Sequence, residues 1–337
     1  MPVISVLIPM FNAENFFYRS VNALRAQTFT DWQAICIDDG SSDNTYECVK
    51  EYIKDDPRFI VLKKDKNTGL SDTRNIAMTH ATGEFVMYND VDDFLHPQAM
   101  EISLALARRD NSDLVCFCKN KWLRVGLVIK KFFGGDIEDI TNPLGINKVY
   151  RLAKVKTKTT NDFISYATER TWRLKYWQVK HCYVWQSLYR RDFISDLPFR
   201  FYIMEDFAWW SELLSRKPQA TITKLPFYFY IPTFGSIMDR YKVFKKINAI
   251  AESLEYIYPF YQKNVGQRDC AIWQREYMWP YVAWMYRRVK YISSADERNA
   301  VKKKFMSLNA MGIFDNPPNY SARCHRRKIM KFINDGK

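Results

Sequence analysis

Short apolar runs alternate with amphipathic stretches over the first third of the chain, and clusters of Gly, Pro, Asn and Asp separate them. Residues 3–8 read as a buried strand stopped by Pro9. Ala13, Phe17, Val21 and Leu24 then recur at close to helical spacing, which predicts a helix over residues 14–27. Residues 32–37 form a second strand pattern that runs into Asp38, Asp39 and Gly40, and either Ser42 or Asp43 can cap a helix over residues 45–53. A third strand falls at 59–62. Asn67, Thr68 and Gly69 mark a turn, Ser71 can cap a helix through Thr79, and Gly83 leads into a strand at 84–88. That strand ends in Asn89-Asp90-Val91-Asp92-Asp93.

Strand and helix alternating in this way predict an α/β fold with a doubly wound, mostly parallel sheet. Ligands of such sheets lie outside the carboxyl ends of the strands. The acidic clusters at Asp38-Asp39 and Asp90–Asp93 therefore fall on one edge. A further strand is expected at 114–117, with Cys116 and Cys118 on one face. Residues 119–162 are poorly periodic and read as a variable insertion. Regular patterns return at 184–189, 205–214 and 220–230, and a helical, basic region begins near Tyr241. No internal repeat or low-complexity tract is visible.

Charge divides the chain. Of its 337 residues, 1–115 carry 11 Lys and Arg against 18 Asp and Glu, whereas the remainder carries 40 against 19. This asymmetry points to an anionic partner for the second part, either lipid headgroups or nucleic acid. Trp273, Tyr277, Trp279, Tyr281, Trp284 and Tyr286 are interleaved with Arg275, Arg287, Arg288 and Lys290. This pattern suits either an amphipathic membrane-surface segment or the core of a helical bundle, with Pro280 dividing the helix in both cases.

Several classes are disfavoured. No apolar run reaches the roughly 18 residues of a membrane span, and residues 3–10 are too short for a leader, so a cytoplasmic protein is expected. The seven cysteines, at 36, 48, 116, 118, 182, 270 and 324, contain no CxxC pair and read as reduced thiols. No GxGxxG follows the first strand, which argues against a dinucleotide oxidoreductase. Residues 6–12 contain no glycine, which argues against a sugar nucleotidyltransferase. Signatures of nucleic-acid-binding folds are absent. His96 before Pro97 reads as a packing residue, and His80 and His181 have no partner pattern.

Two carboxylates at Asp-x-Asp after a strand supply hard oxygen ligands for Mg²⁺ or Mn²⁺, with a diphosphate completing the shell. The order and spacing of four blocks extend that reading: VLIPMFN (residues 6–12), IDDGSSDNT (37–45), NTGLSDTRN (67–75) and YNDVDDFLHP (88–97). Together they resemble family 2 glycosyltransferases of the GT-A fold. A looser echo in VWQSLYRRDFI (184–194) and MEDFAWW (204–210) carries the resemblance to about residue 240.

The resemblance implies a metal-dependent, inverting transfer of a sugar from a nucleotide diphosphate donor, UDP by preference, to a hydroxyl of a glycan or lipid-linked acceptor in surface-polysaccharide synthesis. It divides the chain into a donor-binding half (1–115), an acceptor-binding half (116–240) and a helical basic region (241–337). The resemblance also assigns site residues. Pro9, Phe11 and Asn12 would line the nucleotide, Phe11 standing where the family usually has Tyr. Asp38 or Asp39 would accept the imide N–H of uracil. Arg74 would reach the donor phosphates or the acidic loop. Asp92 would hold the metal, with Asp90 as a second ligand or nearer the ribose or sugar, and Val91 would lie against the donor. Asp206, with Glu205 in reserve, would be the general base. The residues alone leave an acidic helix start as a competing reading for that pair, and a peripheral position at an anionic membrane surface remains open for the basic region.

Overall fold

The computed structural model describes residues 1–119, 157–160, 183–201, 203–231, 242–315, 317 and 319–335. The expectations for most of the 119–162 insertion, for His181 and for Cys182 lie outside the described residues. The chain forms two compact units. Among the described residues the first holds 1–119, 157–160, 183–198 and 218–231, and the second holds 199–201, 203–217 and 242–335 with few gaps. This division differs from the expected one, because the segment 199–217 groups with the C-terminal helices.

The first unit is a mixed sheet flanked by helices. Its strands are β1 (Ile4–Met10), β2 (Trp32–Asp38), β3 (Phe59–Lys63), β4 (Phe85–Tyr88), β5 (Phe94–Leu95), β6 (Leu114–Lys119), β7 (Thr157–Thr160), β8 (Ser187–Arg190) and β9 (Ala220–Phe229). The order is β3-β2-β1-β4-β8-β6-β9-β5, and β7 also pairs with β9. The parallel arrangement expected from the sequence holds for β3-β2-β1-β4. Beyond β4 the sheet is mixed: β8 runs antiparallel to both β4 and β6, β6 is parallel to β9, and β9 is antiparallel to β5 and β7. Every residue of β1 and β2 is buried, as expected for parallel strands covered on both faces. The main core gathers Val6, Ile8, Val21, Leu24, Trp32, Met87 and Leu106.

Helices α1 (Phe17–Arg25), α2 (Thr45–Ile53), α3 (Leu70–Thr79) and α4 (Ala99–Arg109) belong to this unit. Four local expectations change. β1 continues through Pro9 to Met10, because Pro9 lies past the last β1–β4 pair, Leu7 with Tyr88, where no ladder donor is needed. α1 starts three residues late, since the N–H groups of Phe16 and Phe17 both turn back to the Ala13 carbonyl. Neither Ser42 nor Asp43 is the cap of α2: its N-cap is Asn44, and Asp43 just before it accepts the Thr45 N–H at 3.0 Å. Ser71 lies inside α3, whose N-cap is Gly69 at φ 97°.

The second unit is helical: α5 (Glu205–Ser215), α6 (Val243–Asn264), α7 (Gln267–Trp273), α8 (Trp279–Val289), α9 (Ala295–Ala310) and α10 (Tyr320–Asp335). Trp273 stacks on Tyr261 at 4.3 Å and donates to Ser211 Oγ at 3.1 Å, while the Tyr261 hydroxyl donates to the Ser211 carbonyl at 2.6 Å. Trp273, Tyr277 and Trp279 are therefore bundle core, whereas Tyr281, Trp284 and Tyr286 are half-buried. A wide π turn over Gln274–Met278 joins α7 to α8 and precedes Pro280, which sits in the first turn of α8. Among the described residues no helix is long and apolar enough to cross a membrane.

Candidate active site

The ends of β1 and β2 are stitched to the loop that follows β2. The Asp39 N–H donates to the Met10 carbonyl at 2.8 Å. Asn12, in the left-handed region at φ 51°, donates its N–H to Ser41 Oγ at 2.9 Å, and its side-chain carbonyl accepts from the Ser42 N–H at 2.9 Å. Gly40 is required here. At φ +67° a Cβ would meet the Lys66 carbonyl carbon at 2.6 Å and the Asn67 nitrogen at 2.7 Å. Pro9 is buried, and Phe11 beside it is half-buried.

The two carboxylates that begin this loop are not equivalent. Asp39 accepts the Thr68 N–H at 3.0 Å with one oxygen and the Gly69 N–H at 2.9 Å with the other, and it pairs with Lys64 at 2.8 Å. It is the latch that holds the 67–69 turn and the start of α3. Asp38 is fully buried, and its Oδ1 accepts from the Ser41 hydroxyl and N–H. Its Oδ2 has no hydrogen-bond partner, an unusual condition for a buried carboxylate oxygen and one that invites a donor. Lys64, absent from the sequence reading, also pairs with Asp72 at 2.8 Å. Nothing in a Lys-Lys-Asp-Lys run distinguishes such a residue from a solvated one.

The acidic loop is fixed from three sides. Arg74, on α3, reaches Asp90 at 3.2 Å from a side chain that is 2% exposed, so it is not the surface ion pair its type suggests. Asn89 donates to Ser20 Oγ on α1 at 2.7 Å, which gives this residue an anchoring role that its sequence did not disclose. From β9, the Tyr228 hydroxyl accepts the Asp90 N–H at 3.2 Å, and just beyond that strand the Ile231 N–H donates to the Asp93 carboxylate at 2.6 Å. Burial, followed by the neighbouring Asp92 and Asp90 charges, holds the Asp93 carboxyl well above the usual range. Asp93 is thus a buried anchor, and Asp90 and Asp92 are the carboxylates left partly open. Val91 packs in the main core, which limits it to backbone contact with any ligand. His96 is a packing residue as expected, with its ring against Phe227 and Phe229 and its Nδ1 accepting the Gln98 N–H at 3.1 Å.

Among the described residues no group of three or more His, Cys, Asp or Glu side chains could enclose an ion. The donor set of Asp90 and Asp92 fits a Mg²⁺ or Mn²⁺ ion that takes one or two carboxylates and completes its shell with phosphate oxygens and water.

Glu205 and Asp206 open α5 in the second unit, so both occupy the helix start that the competing reading required. Met204 immediately before them is left-handed, φ 59° and ψ 29°, a conformation that costs a bulky residue on the order of 1 kcal/mol. Strain of this kind concentrates at functional sites.

The strand-end acidic loop lies on a sheet that changes from parallel to mixed at β4, an arrangement that matches the GT-A fold. Solved structures similar to the chain agree in fold. One is residues 1–349 of TarS from Staphylococcus aureus in complex with UDP-GlcNAc, with a TM-score of 0.58 and 15% identity over 100% of this chain and 93% of that one. Another is the mannosyltransferase PcManGT from Pyrobaculum calidifontis with GDP-Man and Mn²⁺, with a TM-score of 0.52 and 13% identity over 100% of this chain and 88% of that one. Residues 5–197 match the model of Glycosyl transferase family 2, and the chain belongs to that family. Among curated relatives, the uncharacterized glycosyltransferase YibD of Escherichia coli K12 is 29% identical over 231 residues, which is 67% of this chain and 60% of YibD.

Proposed function

We propose that this glycosyltransferase moves a sugar, with inversion, from a UDP-sugar to a hydroxyl of a glycan or lipid-linked acceptor in surface-polysaccharide synthesis. The observation that carries the reading is the acidic loop at the carboxyl edge of the sheet, in which Asp93 is buried and anchored by the Ile231 N–H while Asp90 and Asp92 are only partly buried.

Uracil would lie against Pro9 and Phe11, with its imide N–H donated to the unpartnered Asp38 Oδ2. Asp39 keeps the surrounding turn in register. The Arg74 guanidinium orients Asp90 and places positive charge beside the diphosphate. Asp92 and Asp90 would hold Mn²⁺ or Mg²⁺. That ion, when bound, neutralises charge developing on the departing UDP. Asp206, with Glu205 beside it, would take the acceptor's proton as the new bond forms at the anomeric carbon and the bond to UDP breaks. A base on the face opposite the leaving group requires inversion. The basic helices α9 and α10 would hold the protein at an anionic membrane surface, where lipid-linked acceptors lie.

The test is nucleotide release from a panel of UDP- and GDP-sugars, with saccharide acceptors, with and without Mn²⁺. Metal-dependent release from a UDP-sugar, lost in Asp92→Ala with folding unchanged, is expected. Release from none of the donors, or equal activity of Asp92→Ala at every metal concentration, would overturn the proposal.

A further inference from the structure

Four rings line up against the acidic loop. Tyr183 stacks on Trp185 at 4.7 Å with an interplanar angle of 3°, and Trp185 stacks on Tyr228 at 4.0 Å and 17°. Tyr230 lies nearly parallel to Trp185 as well, at 6.1 Å and 11°. Trp185 and Tyr228 are buried, but Tyr230 is 38% exposed.

Tyr230 directly follows β9, which ends at Phe229, and its near-parallel packing on Trp185 places it with Tyr228, which stacks on the same ring and accepts the Asp90 N–H. The next residue, Ile231, donates to Asp93. Tyr230 is thus held between two tethers to the acidic loop. The environment of its hydroxyl agrees: burial, then the charges of Asp93 and Asp92, push it up to about 12.

We propose that Tyr230 is a specificity-determining residue whose exposed ring forms the stacking face for the sugar of the donor. The inference rests on the glycosyltransferase reading. The sugar's first carbon is bonded to the phosphate that Asp90 and Asp92 would clamp through the metal, so its ring must begin within a few bonds of that loop. A flat, partly exposed aromatic there presents the apolar face on which the C–H groups of a pyranose pack, while the ring behind it, Trp185, keeps it from turning away.

The test compares ligands that differ only in the sugar. Binding of UDP, UDP-glucose and UDP-N-acetylglucosamine is measured by calorimetry with Mn²⁺ on the wild type and on Tyr230→Phe, Tyr230→Ala and Tyr230→Leu. Tyr230→Ala is expected to weaken the preferred UDP-sugar about tenfold and to leave UDP unchanged, while Tyr230→Phe, which keeps the ring, binds both like the wild type. Tyr230→Leu, apolar but not flat, carries the same expectation as alanine and covers the case in which the alanine variant loses UDP as well. Equal loss of UDP and UDP-sugar in both the Ala and Leu variants would overturn the assignment, as would unchanged UDP-sugar affinity with a raised acceptor KM. A wild type that binds none of the three ligands would overturn the glycosyltransferase reading itself, whereas tight wild-type binding with indifferent variants removes only Tyr230.

Discussion

Arg74 and Asp90 meet at 3.2 Å, with the guanidinium almost wholly buried and the carboxylate 28% exposed. The acidic loop is therefore positioned by a cation that solvent scarcely reaches, and the ion pair joins α3 to the end of β4.

Removing the carboxylate leaves that buried cation with one partner fewer. Asp90→Ala should lower stability by roughly 2 kcal/mol, below the range for a fully buried pair because Asp90 is partly solvated. Arg74→Lys keeps the charge but not the planar fork, and should reduce donor affinity more than stability. Urea unfolding and donor titration on both variants check the two expectations.

Asp38 and Asp39 should separate cleanly. Asp39→Asn cannot accept both the Thr68 and Gly69 N–H groups and also pair with Lys64, so it should destabilise the fold by about 1–3 kcal/mol. Asp38→Asn retains an acceptor for Ser41 and should unfold near the wild-type midpoint while losing preference for UDP over CDP. Thermal unfolding together with competition binding of the two nucleotides reads both effects.

Asp206→Asn keeps shape and hydrogen bonding but removes the proton acceptor. A fall in kcat of about 10² to 10⁴-fold, with donor binding near normal, is expected. Product stereochemistry by NMR supplies the second half of the check, since a retained anomeric configuration is incompatible with this role.

The exposed basic positions of α8 and α10, among them Arg287, Arg288, Arg327 and Lys328, predict binding to anionic vesicles that weakens with salt. Sedimentation with anionic and neutral liposomes should show the difference, and equal partitioning would return these residues to ordinary surface.

Acid should expose a structural carboxylate far from the site. Asp56 receives bonds from Arg58 at 2.9 and 2.8 Å and from Arg25 at 3.4 Å, and the Arg58 hydrogen bond leads in holding it down to about 2, from 3.8. A depressed carboxyl stabilises the fold above its unfolded value, and the contribution disappears as pH falls from near 4 towards 2. Because the arginines are partly exposed, about 1 kcal/mol is the expected size. Asp56→Asn should flatten stability over that pH window and leave it unchanged in slope near neutrality.

The first third of the chain was legible because its elements are local. β1 to β4 and α1 to α3 announce themselves by apolar period and turn residues, and the acidic motif ends a strand whose direction fixes its edge. The order of strands beyond β4 was not legible. β8 separates β4 from β6 by pairing with both, and that choice depends on register with distant partners rather than on anything in Ser187–Arg190. The same limit hid Tyr230, whose place beside Tyr228 gains meaning only when β9 is known to border the acidic loop. Trp273, Tyr277 and Trp279 fitted two environments equally in sequence, and only the packing on Tyr261 and its neighbours distinguishes core from surface.

The two tethers to the acidic loop from Tyr228 and Ile231 each span 138 positions of sequence. During synthesis, a nascent chain displays every recognisable motif of its donor half long before Tyr228 and Ile231 leave the ribosome. At 5–20 residues per second, roughly 7 to 28 seconds separate the making of the loop from the making of its anchors. Throughout that interval Asp90 lacks its Tyr228 contact and Asp93 its Ile231 contact, so the acidic loop gains its last anchors late.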